Sequence, residues 1–154
     1  MNVSEIMVKD PIVAELPTTR EDVLSLLVKN RRTGLPVVDS EQKVLGMITR
    51  KDIFKSPEEE QVAVLMEWDV PTISGTTPVE KAAKIMYEEN VRRLPCIKKS
   101  RIIGLVTPSD LLKVVEQRKI DTPVEDFVRS HTVCIYKETP AKVAASIINL
   151  SKVY

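Results

Sequence analysis

Apolar and polar positions alternate along this chain with two periods, and each period recurs. Val79, Ala82, Ala83 and Met86 fall three or four residues apart while Lys81, Lys84 and Glu88 take the other side, the spacing of a helix with one buried face. Val23, Leu26 and Leu27 set out the same stripe earlier. After each helical stretch come two short runs rich in β-formers, "LPVV" then "KVLGMI", and "LPCI" then "RIIGLV". The polar turns "DSEQ" and "KKS" join them, which predicts two hairpins. Ahead of each helix lie a short apolar helical turn, "VSEIM" or "VAVLM", and an extended piece, "PIVAEL" or "PTISG". Another helix opens just after the Thr that closes each hairpin. The plan is β-α-β-β-α, and it occurs twice.

The repeat is sharpest where hairpin meets helix: "GMITRKDIF" over 46–54 returns as "GLVTPSDLL" over 104–112, with Thr49 and Thr107 58 residues apart. The copies are 1–58 and 59–118. A unit of under about 60 residues buries so little of its surface that it is marginal alone. The expected fold is therefore an α/β body over 1–118, two pseudo-two-fold related units packed through their small sheets. Residues 119–154 begin a third copy: "VEDFV" (124–128), "TVCIY" (132–136) and "TPAKVAASII" (139–148) follow the earlier order, the last at a constant offset of 62 from "TPVEKAAKIM". Val143, Ile147 and Leu150 share a face with no hairpin of their own to cover them. A half motif that keeps its spacing is what a piece of a longer, four-copy protein would look like; the competing expectation is a tail that docks on this body or on a second chain.

Composition narrows the function classes. The chain of 154 residues is 43% apolar and 29% charged, the balance of a folded soluble protein. Its 23 basic and 22 acidic side chains leave +1, so no nucleic-acid partner is expected. Cys96 and Cys134 form no CxxC, and His131 is the one histidine, so neither a disulfide framework nor a metal site is signalled. Cys96 on its apolar strand reads as a buried, inert thiol, and two scattered thiols suit a reducing, cytoplasmic location. No run approaches the roughly 18 apolar residues of a membrane span. The motifs of serine hydrolases, P-loop enzymes, dinucleotide enzymes and zinc proteases are absent, so an enzyme is not expected. Met66 and Trp68 read as core or dimer contacts, and "SPEEEQ" (56–61) as a solvated linker.

Two readings fit the repeated Thr-x-x-Asp. In one, Thr49 with Asp52 and Thr107 with Asp110 only cap their helices, with Pro108 at a favoured first position. In the other, a ligand shares the same geometry: a helix start offers N–H groups and the positive dipole end, and an ionised Asp accepts from two adjacent sugar hydroxyls. Gly46 and Gly104 sit inside strands, where Gly is costly unless a backbone or ligand must come close.

In order and double occurrence, "SEIM", "PIV", "LPVVD" and "GMITRKDIF", then "AVLM", "PTI", "RRLPCI" and "GLVTPSDLL", resemble a tandem pair of cystathionine-β-synthase (CBS) domains, the Bateman module. Residues 119–154 resemble the first half of a third. The resemblance implies a regulatory module that senses AMP, ADP, ATP or S-adenosylmethionine in clefts between the copies, pairs as a homodimer, and acts on a downstream protein that the sequence does not name. It implies ribose contacts from Asp52, Asp110, Thr49 and Thr107, and phosphate contacts from Arg92, Arg93 and Lys51. Ile12, Val13, Thr72 and Ile73, with Pro36 and Pro95 nearby, would wall the base. The first copy has Thr33 and Gly34 where the second has the arginine pair, with Arg31 and Arg32 just before them. The resemblance also implies that each cleft borrows its phosphate ligands from the opposite half, so the Asp52 site is expected to draw on Arg92 and Arg93 and to bind a phosphorylated nucleotide more tightly, and the Asp110 site to draw chiefly on Lys51. A ligand-free dimerisation or protein-interaction module is the alternative.

Overall fold

The computed structural model describes residues 1–118, 123 and 134–151. The third-copy segment 124–128, the start of 132–136 and His131 lie outside the described residues. Residues Met1–Lys119 form one compact unit and Ile120–Tyr154 a second.

The first copy runs through a 3-10 turn (Val3–Glu5), β1 (Val8–Lys9), β2 (Ala14–Glu15), α1 (Arg20–Lys29), β3 (Gly34–Val38), β4 (Val44–Thr49) and α2 (Arg50–Lys55). The second repeats it as α3 (Val62–Leu65), β5 (Glu67–Trp68), β6 (Ile73–Ser74), α4 (Val79–Glu88), β7 (Leu94–Lys98), β8 (Arg101–Val106) and α5 (Pro108–Gln117). The predicted helical faces are the ones that bury: Val23 and Leu27 on α1, and Val79, Ala82 and Met86 on α4. Both expected hairpins form, β3 with β4 and β7 with β8. In the second unit α6 spans Ala141–Ser151, where the third helical stretch was expected, and Val143 on it is exposed.

The sequence did not foretell β1 and β5, two-residue strands that cross between copies. One sheet has the order β2-β3-β4-β5 and the other β1-β8-β7-β6, so each sheet takes its last strand from the other copy. The helical turns beside them cross as well. Val62 and Met66 pack with Val23, Leu27, Leu35 and Ile48 of the first copy. Val3 packs with Ala82, Leu94, Cys96 and Val106 of the second, held by hydrogen bonds from Val3 N to Thr77 O (2.9 Å) and Ser4 N to Gly75 O (2.9 Å). Met66 thus reads correctly as core, whereas Trp68 is 48% exposed, its indole N–H donating to the Ala63 carbonyl at 2.9 Å. The sheets also meet directly, through an antiparallel bridge between Lys43 and Arg101 and a 3.0 Å bond from Ile102 N to Gln42 O. Lys43 and Arg101 occupy matching places in the two copies, so the pseudo-two-fold axis passes between them.

The strand glycines follow from this exchange. A Cβ on Gly46 would lie 2.6 Å from Met66 Cε and 3.0 Å from the Glu67 carbonyl carbon; one on Gly104 would lie 2.9 Å from Met7 Cγ and 3.1 Å from the Val8 carbonyl oxygen. At both positions the crossing strand occupies the place of a side chain.

Candidate functional site

Each hairpin delivers its Thr to the start of a helix. Thr49 and Thr107 are extended, and the Asp three residues on closes a capping box back onto each. Asp52 Oδ2 accepts from Thr49 N at 2.9 Å and Thr49 Oγ1 at 2.6 Å. Asp110 Oδ2 accepts from Thr107 N at 3.0 Å and Thr107 Oγ1 at 2.7 Å. The cap therefore engages one carboxylate oxygen. In Asp110 the other, Oδ1, accepts from Lys113 Nζ at 3.1 Å, one helical turn on. Asp110 is 3% exposed, the one charged side chain buried to that degree among the described residues.

Asp110 lines a cavity of about 580 Å3, within the range of small-molecule sites. Its floor is the start of α5, with Thr107, Pro108 and Ser109. Val8, Pro11 and Ile12, carried across by the exchanged first strand, supply an apolar wall together with Leu105. Arg31, Arg32, Arg92, Arg93 and Lys113 face in, against the carboxylates of Asp10 and Asp110. The local chain explains part of this. Helix α1 ends at Asn30, and Arg31 then takes the left-handed conformation (φ 52°), turning the chain toward Gly34. The equivalent residue, Asn90, does the same (φ 52°).

Arg93 reaches across the pseudo-two-fold axis. Its Nη2 donates to the Thr33 hydroxyl, and its Cζ lies 3.1 Å from where a Cβ on Gly34 would be. Burial, and secondarily repulsion from Arg92, hold the Arg93 guanidinium below its ordinary pKa. An anion beside the pair would relieve both effects.

The sequence-derived residues separate as follows. Asp110, Thr107, Arg92, Arg93 and Ile12 come together around one cavity. Val13, Pro36, Thr72, Ile73 and Pro95 do not line it; Ile73 belongs to the core, and Pro36 and Pro95 are buried within the hairpin strands. Arg92 and Arg93, expected at the Asp52 site, line the cavity of Asp110, whereas Lys51, expected at the Asp110 site, lines neither that cavity nor the one touching Asp52. A smaller cavity touching Asp52, of about 250 Å3, is lined by Lys55, Ser56, Glu59, Val64 and Leu65 and by none of the arginines. Residues of the α1–β3 and α4–β7 loops both line the cavity beside the start of α5. Arg31 and Arg32, which stand just upstream of the position aligned with the arginine pair, belong to the cavity. Lys113 was detectable from its i,i+3 spacing to Asp110. Among the described residues, no His, Cys, Asp and Glu cluster has the makings of a metal site, and no helix is long and apolar enough to cross a membrane.

Fold and cleft together define a paired α/β repeat with a ligand-sized hollow between its copies. The sequence profile of the CBS domain matches residues 3–59 and again 61–117, and the chain belongs to the CBS domain family. It is 34% identical over 112 residues to an inosine-5'-monophosphate dehydrogenase of Methanocaldococcus jannaschii, covering 71% of this chain and 22% of the relative. A homoserine O-acetyltransferase of Methanohalobium evestigatum is 31% identical over 118 residues, covering 75% and 24%. The chain thus spans about a quarter of the length of these relatives. A CBS domain-containing protein of Dictyostelium discoideum is 35% identical over 130 residues, covering 73% of this chain and 90% of the relative. Among solved structures, CBSX2 of Arabidopsis thaliana in complex with AMP superposes with a TM-score of 0.71 at 27% identity, covering 77% of this chain and 98% of that one. The CBS domain pair of protein MJ0100, in complex with 5'-methylthioadenosine and S-adenosyl-L-methionine, gives the same four values.

Proposed function

We propose that the CBS pair is a regulatory module that binds an adenosyl ligand in the Asp110 cavity and transmits its occupancy to a downstream protein. The observation that carries this reading is the division of labour at Asp110: Oδ2 holds the cap, while Oδ1 keeps acceptor capacity beside the cavity, where a ribose can use it. The AMP, methylthioadenosine and S-adenosylmethionine complexes of the two similar CBS pairs support an adenosyl ligand. Thr107 would stand beside the ribose and Ile12 beside the base. Arg31, Arg32, Arg92 and Arg93 favour a phosphorylated nucleotide, AMP, ADP or ATP, over the cationic S-adenosylmethionine. Copies 1–58 and 59–118 act as one site-forming pair, with 119–154 the opening half of a third motif.

Thermal unfolding with AMP, ADP, ATP and S-adenosylmethionine tests the reading, since a ligand at 100 times its Kd adds about 2.7 kcal/mol of stability. Asp110→Ala should weaken binding about ten- to a hundredfold, the worth of a hydrogen bond to a charged group. No stabilisation by any of the four would favour the ligand-free pairing module. Phe54 on α2 and Leu112 on α5, 61% and 65% exposed at matching positions, speak for that second reading as an apolar face suited to a homodimer.

A further inference from the structure

The two helix-opening carboxylates are equivalent, but the residues that meet between them are not. Alignment of the copies sets Gly34 opposite Arg93, each immediately before the shared Leu-Pro of its hairpin. The point 3.1 Å from Arg93 Cζ where a Cβ on Gly34 would sit is also 3.1 Å from Thr49 Cγ2. Thr49 opens the helix that carries Asp52. The guanidinium, anchored on the Thr33 hydroxyl, therefore packs against the Asp52 side of the axis. The symmetry-related volume, beside Thr107, is where a side chain on residue 34 would reach, and glycine sends nothing there. That volume belongs to the cavity, which Gly34, Thr107 and Asp110 all line.

We infer that this module takes one ligand per chain, in the Asp110 cavity, and that Arg93 sets this count by occupying the space that would open the matching cleft at Asp52. The inference rests on the adenosyl-binding reading and adds a stoichiometry and a residue that determines it. One arginine has two effects in this arrangement. It lends positive charge to the open cleft while its body fills the closed one. The pair then responds as a single-site sensor, with a simple hyperbolic dependence on ligand instead of two overlapping transitions.

Isothermal titration of the full chain with AMP, ADP, ATP and S-adenosylmethionine gives the test. The expected count is one per chain, with Asp110→Ala weakening binding at least tenfold and Asp52→Ala by less than threefold. Arg93→Ala, checked for folding by its melting transition, should raise the count from one to two; a count that stays at one, or falls to none, overturns the role of Arg93. Should that variant not fold, the wild-type count and the two Asp variants still decide. Two ligands per wild-type chain, or a single ligand lost with Asp52→Ala, overturns the inference while leaving adenosyl binding intact. No saturable binding of any of the four overturns both.

Discussion

The carbonyl carbon of Glu67 lies 3.0 Å from the point that a Cβ on Gly46 would occupy. These residues come from different copies, and their approach is how the first sheet acquires its last strand: β4 pairs with β5 at Gly46–Trp68 and Met47–Glu67. Gly104 has the matching place under β1, but the nearest atoms there belong to the flexible Met7 side chain. Alanine should separate the two. Gly46→Ala meets backbone that has little freedom to yield and should cost about 3 kcal/mol, the upper part of the overpacking range. Gly104→Ala, whose Met7 can turn aside, should cost about 1 kcal/mol. Urea unfolding of the two variants measures the difference, and equal costs would mean that the two crossings are mechanically alike.

A second prediction concerns Gly34. A Cβ there would lie 3.0 Å from the Ile48 carbonyl oxygen and 3.1 Å from Arg93 Cζ, closer than ordinary packing allows. Gly34→Ala should destabilise by about 1–2 kcal/mol. Part of that cost arises from Arg93 and part from the Ile48 backbone, so a double-mutant cycle with Arg93→Ala should recover roughly 0.5–1 kcal/mol of coupling and not the whole. Strict additivity would show that the two residues do not press on one another in solution.

How much of this was legible beforehand depended on whether a feature leaves a periodic trace. The α4 stripe of Val79, Ala82 and Met86 and the β7–β8 hairpin each spread a pattern over many residues, and both appear where that pattern placed them. The exchange of Val8–Lys9 and Glu67–Trp68 rests on two-residue strands, too short to carry alternation. Its trace was indirect, in glycines that a strand interior should avoid. At the site, Thr107 and Asp110 were readable because a cap is a local event with fixed spacing. The company of Asp110 was not, since which arginines face it depends on which loops meet beside α5. The expectation that each cleft borrows its cations from the opposite half gave Arg92 and Arg93 to Asp52, whereas in the structure both line the cavity of Asp110, in their own copy.

The two thiols should behave as chemically different groups. Cys96 is fully buried on β7, and burial raises its pKa above the ordinary 9.0; Cys134 is exposed. At neutral pH a thiol-disulfide reagent should modify one thiol per folded chain quickly, at Cys134, and the second only at the rate at which the first unit opens. Adding denaturant should release two. Two fast thiols in the native protein would contradict the packing of Val3, Leu94 and Val106 around Cys96.

A last prediction uses the link between α4 and α5. Arg118 Nη2 lies 2.6 Å from Glu80 Oε1, and Glu80 is held below its ordinary pKa of 4.5, first by hydrogen bonding to backbone and then by Arg118. A carboxylate whose folded-state pKa is depressed adds stability that is fully present above the unfolded value and disappears as pH falls through the folded one. The pair is solvent-exposed and screened, so its share is small. Comparison with Glu80→Gln isolates it: the melting temperatures should differ most at neutral pH, above the ordinary carboxylate range, and converge as pH falls through the depressed folded-state pKa, where Glu80 protonates and resembles the amide. Added salt at pH 7 should narrow the gap as well. A gap that widens on acidification would mean that Glu80 is stabilised in its neutral form, and that the Arg118 contact does not persist in solution.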